Sequence, residues 1–414
     1  MKRDRLRELL RDAPLPEERE AEERGLRIVS AAFRERAPAP RSQPRARLAL
    51  ALAAALVLPA LVLSPAGAGV RDWLGDVVDP GVEDAEPALT RLPGGGRLLV
   101  DSAQGPWLVH PDGSRRLLGD YQEAGWSPRG LYVVAADDRT LVALEPDGDP
   151  RWSLSRQQPI ADPRWSSSPG FRIAYRAGDS LRVVAGDGTD DVLLARGVEI
   201  APSWRPGPAH VLAYVDRGGA PRLVNTDTRM PLASLPALAG VSTLSWRPDG
   251  TELLQVAPSE LRLTELRSQK IGAKLAVAAT HTLPLPAGAR VRAAAFSPDG
   301  AELALLLSHP ARGDRPPHSE VLLIARDRSV IEITGLEKGA RRLMTTPGRL
   351  DDLAWSPDGS RLLVTWRDAD QWLFIPVTGS GRTTAVDRIS RQFSPGAERP
   401  SFPAVDVSGW CCPR

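Results

Sequence analysis

The sequence predicts an all-β fold, a β-propeller of about seven four-stranded blades, preceded by one transmembrane helix and a short helical N-terminal segment. Three observations predict it. An aromatic residue followed by a Pro- and Gly-containing turn recurs along the chain. Each copy is followed by short apolar runs bounded by turn residues. One uncharged stretch stands near the N-terminus. Composition agrees: Gly 36 and Pro 39 in 414 residues exceed ordinary usage, and Trp 11 outnumbers Phe 6 and Tyr 4 combined. Lys+Arg 53 against Asp+Glu 51 leaves a net charge of +2, which argues against a whole-chain nucleic-acid binder. Two cysteines are too few for a disulfide framework.

Residues 2–12 form one short predicted helix, ended by Pro14 and Pro16. Residues 17–36 form a second, with Leu26, Val29, Ala32 and Phe33 on one narrow stripe. Two readings stand for it: a solvated or membrane-surface helix, or a helix that docks onto a cytoplasmic regulator. Pro38, Pro40 and Pro44 make a stiff linker. Residues 48–70 then carry no charge between Arg47 and Arg71. As a helix they span about 34 Å, enough for a hydrocarbon core of ~30 Å, although Pro59 strains the middle. A cleaved signal peptide ending near Ala66 to Ala68 and a buried core helix are the alternatives. Arginines precede the stretch and carboxylates follow it, which places residues 1–47 in the cytoplasm and residues 71–414 outside. The outer part has a balance of two excess acidic charges and no basic patch, so no nucleic acid is expected as partner.

The repeat follows. Its aromatic positions are Trp126, Trp165, Trp204, Trp246, Phe296 and Trp355, and a degenerate copy, Arg91 to Gly96, keeps Pro and Gly without the aromatic. After Gly130 come LYVVAA, an Asp137-Asp138-Arg139 turn, TLVALE, a Pro-Asp-Gly turn and a short strand; the other copies follow the same plan. With the strand that carries the aromatic, each unit has about four strands. Four strands repeated every ~40 residues is the signature of a propeller, because one such sheet cannot bury both of its faces alone. Pro presets φ, Asp bonds backbone two residues on, and Gly accepts positive φ, so the turn is chemically specified. The aromatic before it packs between neighbouring blades. Seven blades is the expectation, and six is the alternative if residues 88–120 only complete the ring.

On these motifs the chain resembles the TolB-like, WD-repeat-related propeller family, whose repeats centre on W-S-P-D-G before an apolar strand. Trp355 to Gly359 fits fully and Phe296 to Gly300 fits with Phe for Trp. The copies at Trp126, Trp204 and Trp246 carry Arg or Gly substitutions, and the copy at Trp165 has one extra Ser. The resemblance implies an extracytoplasmic interaction scaffold. The α/β domain that precedes the propeller in the family's namesake is absent here, replaced by the anchor. Prolyl-oligopeptidase-like hydrolases also carry propellers, but this chain has no G-x-S-x-G elbow.

Chemistry is sparse in the sequence. His110, His210, His281, His309 and His318 are scattered, with no metalloprotease, Walker or Rossmann pattern. His309 and His318 share an insertion, Pro310 to Ser319, and make a metal pair one alternative for that loop. A second insertion runs from Ser268 to Pro286. Asp187, Asp190 and Asp191 read as a solvated hairpin tip or a calcium turn. Cys411 and Cys412 form a vicinal disulfide, link to another chain or stay unpaired. Phe402 to Val407 is expected to add a strand that helps close the ring, with Trp410 beneath it. No catalytic, cofactor-binding or metal residue is assigned, and no cofactor is expected.

The domain plan is then a cytoplasmic helical segment and linker (1–47), a transmembrane helix (48–70), a juxtamembrane linker (71–87), the propeller (88–387) and a C-terminal tail that closes or packs on it (388–414). The expected function is a membrane-anchored, extracytoplasmic, non-enzymatic scaffold or sensor. It binds a protein or cell-envelope ligand and signals through its cytoplasmic helix at residues 17–36. The alternative is a propeller enzyme of hydrolase or lactonase type with a site in the central channel, which calls for carboxylates, His or Asn from several blades at the axis and a bound calcium.

Overall fold

The computed structural model describes residues 85–167, 169–267, 274–325, 336–378, 381–394 and 405–412. The expected transmembrane helix, the helical segment before it and residues 71–84 of the linker lie outside the described residues. Among the described residues no helix is long and apolar enough to cross a membrane.

Seven four-stranded antiparallel sheets form the described part. Six are built from consecutive strands, and the seventh takes its first strand from the far end of the chain. We number the blades from this composite one. The first strands are Asp406–Cys411 (blade 1), Glu123–Trp126 (blade 2), Ile160–Trp165 (blade 3), Ser203–Trp204 (blade 4), Thr243–Trp246 (blade 5), Arg290–Phe296 (blade 6) and Leu353–Trp355 (blade 7). Each first strand touches the first strand of the next blade around the whole ring, so these strands line the axis. Fourth strands such as Pro150–Ser155 and Arg115–Leu117 are mostly exposed and form the outer edge.

Apolar burial lies between blades. There are seven buried clusters among the described residues, and each joins two neighbouring sheets. Leu254, Leu261 and Leu263 of blade 5, for example, meet Leu303, Leu305 and Leu322 of blade 6. Middle strands are therefore buried on both faces, which explains their unbroken apolar runs in place of alternation. The blade count is seven, and the six-blade alternative falls because Arg97–Ser102, Gly105–Val109 and Arg115–Leu117 make three strands of a full blade.

The degenerate first repeat is corrected by the same sheet. Its aromatic is not lost but comes from the other end of the chain. Leu98 stands opposite Trp410, just as Leu362 stands opposite Trp355 and Leu253 opposite Trp246. Trp410 is thus the seventh repeat aromatic and lies in the closing strand rather than beneath it. That strand begins at Asp406, later than expected, and residues 402–404 lie outside the described residues.

The turn after the aromatic works as its residues require. In blade 7 the Gly359 N–H donates to the Ser356 carbonyl at 2.9 Å, with Gly359 at φ 70. Ser356 Oγ donates to Asp358 Oδ1 at 2.6 Å and accepts the Arg361 N–H at 2.9 Å. Blade 6 repeats this with Ser297, Asp299 and Glu302. Where Arg replaces Ser, the side chain takes another role. Arg205 Nε donates to the Gly250 carbonyl of the next blade at 2.7 Å, and Arg247 reaches the Gly300 carbonyl in the same way. Arg247 is buried and also pairs with buried Glu252 at 2.7 Å.

The preference for Trp over Phe has a specific cause. The indole N–H of Trp204 donates to the carbonyl of Arg164, Trp246 to Ser203, Trp355 to Ala295 and Trp126 to Gly409, at 2.8, 3.2, 3.0 and 3.3 Å. In every case the acceptor immediately precedes the aromatic of the blade before. Buried strand carbonyls at the junction are satisfied by a donor that Phe lacks. Trp410 departs from the series and bonds the Gly95 carbonyl of its own blade at 2.8 Å.

Candidate functional site

Inner strands run alongside one another, so polar residues near their starts converge at one end of the channel. In blade 3 the register with the second strand slips between Ala161 and Arg164. Asp162 sits in this bulge at φ 55, a left-handed conformation that costs of order 1 kcal/mol for a residue other than Gly. The bulge re-aims it. Its N–H donates to Glu123 Oε1 of blade 2 at 3.0 Å, and its carboxylate accepts Arg176 Nε at 2.5 Å. Pro163 presses on blade 2: a Cβ on Gly125 would lie 2.9 Å from the Pro163 carbonyl oxygen, so only Gly fits there.

The same blade breaks the indole series. Trp165 is the one repeat Trp whose indole nitrogen is buried without a hydrogen-bond partner. Its side chain edges a cavity of about 670 Å³ that runs along the inner strands of blades 3, 4 and 5. Asp162, Arg164, Arg176, Glu199 and the small polar residues Ser203, Ser242 and Thr243 also line it. Two of the repeat tryptophans, Trp165 and Trp204, therefore reach a ligand-sized space, although the repeat places them at blade junctions and rules them out as a ligand site.

Carboxylates from further blades complete the channel. Asp101, on the second strand of blade 1, stands opposite Asp406. Burial pushes its carboxyl up to about 7, helped by the nearby charges of Glu123 and Asp406 and opposed by Arg164. Burial also raises Glu123, with the Asp162 charge adding and Arg164 and Arg176 opposing. Toward blade 7, burial lifts Asp352 to about 6, with the charges of Asp406 and Asp351 adding. Asp351 is gripped by Arg349 at 2.5 Å and Arg292 at 3.2 Å, and Arg367 joins Asp406 at 3.1 Å. The channel is thus charged, with acid and base interleaved.

The other residues singled out in the sequence fall elsewhere. His210 Nδ1 bonds Asp227 at 2.6 Å, and His281 faces Glu265 at 3.8 Å on outer strands of blade 5. His309 and His318 stack with ring centroids 4.6 Å apart. The acidic turn is not a common ligand set: Asp187 accepts Thr189 Oγ1 at 2.7 Å, whereas Asp191 accepts Tyr175 Oη at 2.7 Å and is clasped by Arg156 and Arg182. Among the described residues, the channel carboxylates do not gather three ligand atoms within metal-binding distance either. Cys411 and Cys412 are joined to each other. The insertion from Ser268 yields the outer strand Ala276–Leu283, with residues 268–273 outside the described residues. None of the channel carboxylates was singled out by sequence. Glu123, Asp162 and Asp352 each stand three residues ahead of a repeat tryptophan, which is the signal that could have found them, whereas Asp101, on a second strand, carries no such mark.

No protein-family model and no curated protein matches the sequence. Solved structures do match. The β-propeller domain of Myceliophteria thermophila Cps50 (Swd1) is 14% identical and aligns over 72% of this chain and 98% of its own, with a TM-score of 0.50. The C-terminal WD40 domain of Sif2 is 14% identical over 70% of this chain and 95% of its own, at 0.47. A provisionally assigned 6-phosphogluconolactonase of Bacteroides uniformis is 13% identical over 75% and 99%, at 0.49. At such identities likeness shows the fold alone. The described residues form a seven-bladed β-propeller, the fold they share with the Cps50 (Swd1) domain.

Proposed function

We propose that this chain is a membrane-anchored, extracytoplasmic propeller of TolB-like character that binds a protein or cell-envelope ligand in its channel without transforming it. The observation that carries this is the cavity along blades 3 to 5. It offers arginines, carboxylates and the small polar side chains Ser203, Ser242 and Thr243. Such a set suits a polar, peptide-like ligand with both charge signs, since each group finds a complement and none is left buried and unpaired. Capture from a cell-envelope extract by the full chain, run beside Arg164→Ala, tests it. Loss of specific partners from the variant at an unchanged melting temperature is expected. Equal capture sinks the reading.

The anchor and orientation rest on residues 48–70 and their flanks. Through the helix at residues 17–36, ligand capture outside would bias a regulator inside. A reporter fused after Arg414 should be active outside the cytoplasm. Activity only inside would contradict the orientation.

Hydrolysis in the channel is the second reading, and one observation favours it. Asp101, whose carboxyl burial pushes up to about 7, holds a proton in the range where a general acid works, and burial also raises neighbouring Glu123. Turnover of ester or lactone substrates that disappears in Asp101→Asn would establish it in place of simple binding.

A further inference from the structure

We propose that His309, His318 and Glu320 form a binding site for a zinc-class divalent ion on the hairpin that joins the second and third strands of blade 6. The strands are Glu302–His309 and His318–Ala325, and the connecting loop is the insertion noted above. Register creates the set. His309 stands directly opposite His318 across the antiparallel pair. Side chains alternate along a strand, so Glu320, two residues on, returns to the face of His318, while Ser319 between them is buried. The three side chains therefore share one patch of one face. One ligand atom from each lies within 4.8 Å of the others.

The partners around these groups are those a metal site needs. His318 Nδ1 lies 3.2 Å from the Pro316 carbonyl, and a carbonyl can only accept, so this nitrogen carries the proton and Nε2 the lone pair. His309 Nε2 points at Glu320 Oε2 from 3.2 Å. Arg342 Nε holds the other carboxylate oxygen, Oε1, at 3.1 Å and fixes its orientation. The two rings are stacked at an interplanar angle of 5°, which holds both imidazoles on the same patch. Two imidazoles and one carboxylate suit zinc and its neighbours, whereas calcium and magnesium take oxygen sets. Three protein ligands leave a fourth tetrahedral position for water or an incoming group.

The test is isothermal titration of the full-length chain, stripped by chelator, with zinc chloride. It is done in a Cys411→Ser, Cys412→Ser background so that thiolates cannot contribute. One ion per chain is expected, with affinity falling about tenfold or more in His309→Ala, His318→Ala and Glu320→Gln. Zinc should raise the melting temperature of the parent and not of these variants. His309→Asn and His318→Asn, milder in shape, give the same readout should an alanine variant fail to fold. Absence of saturable uptake, or uptake unchanged in the histidine variants, overturns the proposal.

Discussion

The Trp204 indole nitrogen lies 2.8 Å from the carbonyl oxygen of Arg164, so one blade supplies the hydrogen-bond partner that the strand of the blade before it lacks. The same relation holds three more times around the ring and is absent at Trp165, at Trp410, which bonds Gly95 of its own blade, and at Phe296, which has no donor. Cores between blades thus carry a polar requirement as well as an apolar one.

This asymmetry makes a paired prediction. Trp204→Phe keeps most of the ring's burial and removes the donor, leaving a buried carbonyl unmet, and should cost about 1–2 kcal/mol. Trp165→Phe removes a donor that has no partner and should cost clearly less, or stabilise. Chemical denaturation of both variants checks it, and equal losses would contradict the assignment.

A second prediction concerns the buried pair Arg247 and Glu252, 2.7 Å apart. Removing Glu252 leaves buried Arg247 with only the Gly300 carbonyl and the more exposed Asp249 carboxylate at 3.4 Å, so Glu252→Gln should cost about 3 kcal/mol, the low end for a broken buried pair. The double variant Arg247→Met, Glu252→Leu should recover much of that loss, because it removes the desolvation cost of both charges. A double-mutant cycle in denaturant reads the difference.

The channel gives a pH dependence. Asp101 is raised to about 7 in the folded chain, whereas an unfolded aspartate titrates near ~4. Between those values the native state holds the extra proton, so this group makes stability fall as pH rises from about 4 to about 7. Asp101→Asn should flatten that fall and leave the variant relatively more stable above neutrality. Asp352, raised to about 6, keeps a residual slope over the lower part of the window. Thermal melts across the range decide it, and an unchanged profile in the variant would contradict the burial argument.

Ring closure supplies a fourth prediction. Ending the chain before Asp406 removes the whole inner strand of blade 1 and exposes the edge of Arg97–Ser102. The truncated chain should lose cooperative unfolding and self-associate, as light scattering would show.

Local chemistry explains what could be read from the sequence. The Ser356-Pro357-Asp358-Gly359 turn is specified within five residues, by bonds each residue makes to its near neighbours, so it could be recognised copy by copy. Trp410 could not be placed, because the strand it pairs with lies more than 300 residues away in sequence, as its bond to Gly95 shows. Glu320 was missed beside His309 and His318 because its role depends on the hairpin register, which the loop composition does not fix. Asp101, Glu123 and Asp162 escaped notice for a related reason. Strand patterns show that a residue alternates, but not that its side faces an axis shared by seven sheets.

The measurement that bears most directly on the binding account is capture of cell-envelope partners by Thr243→Trp. Thr243 lines the cavity and is exposed within it, so a large side chain there narrows the space while leaving the blade junctions and the charged groups intact. The account predicts loss of the partners that the parent chain retains, at an unchanged melting temperature. Capture equal to that of the parent, with the cavity obstructed, would contradict a ligand site in the channel.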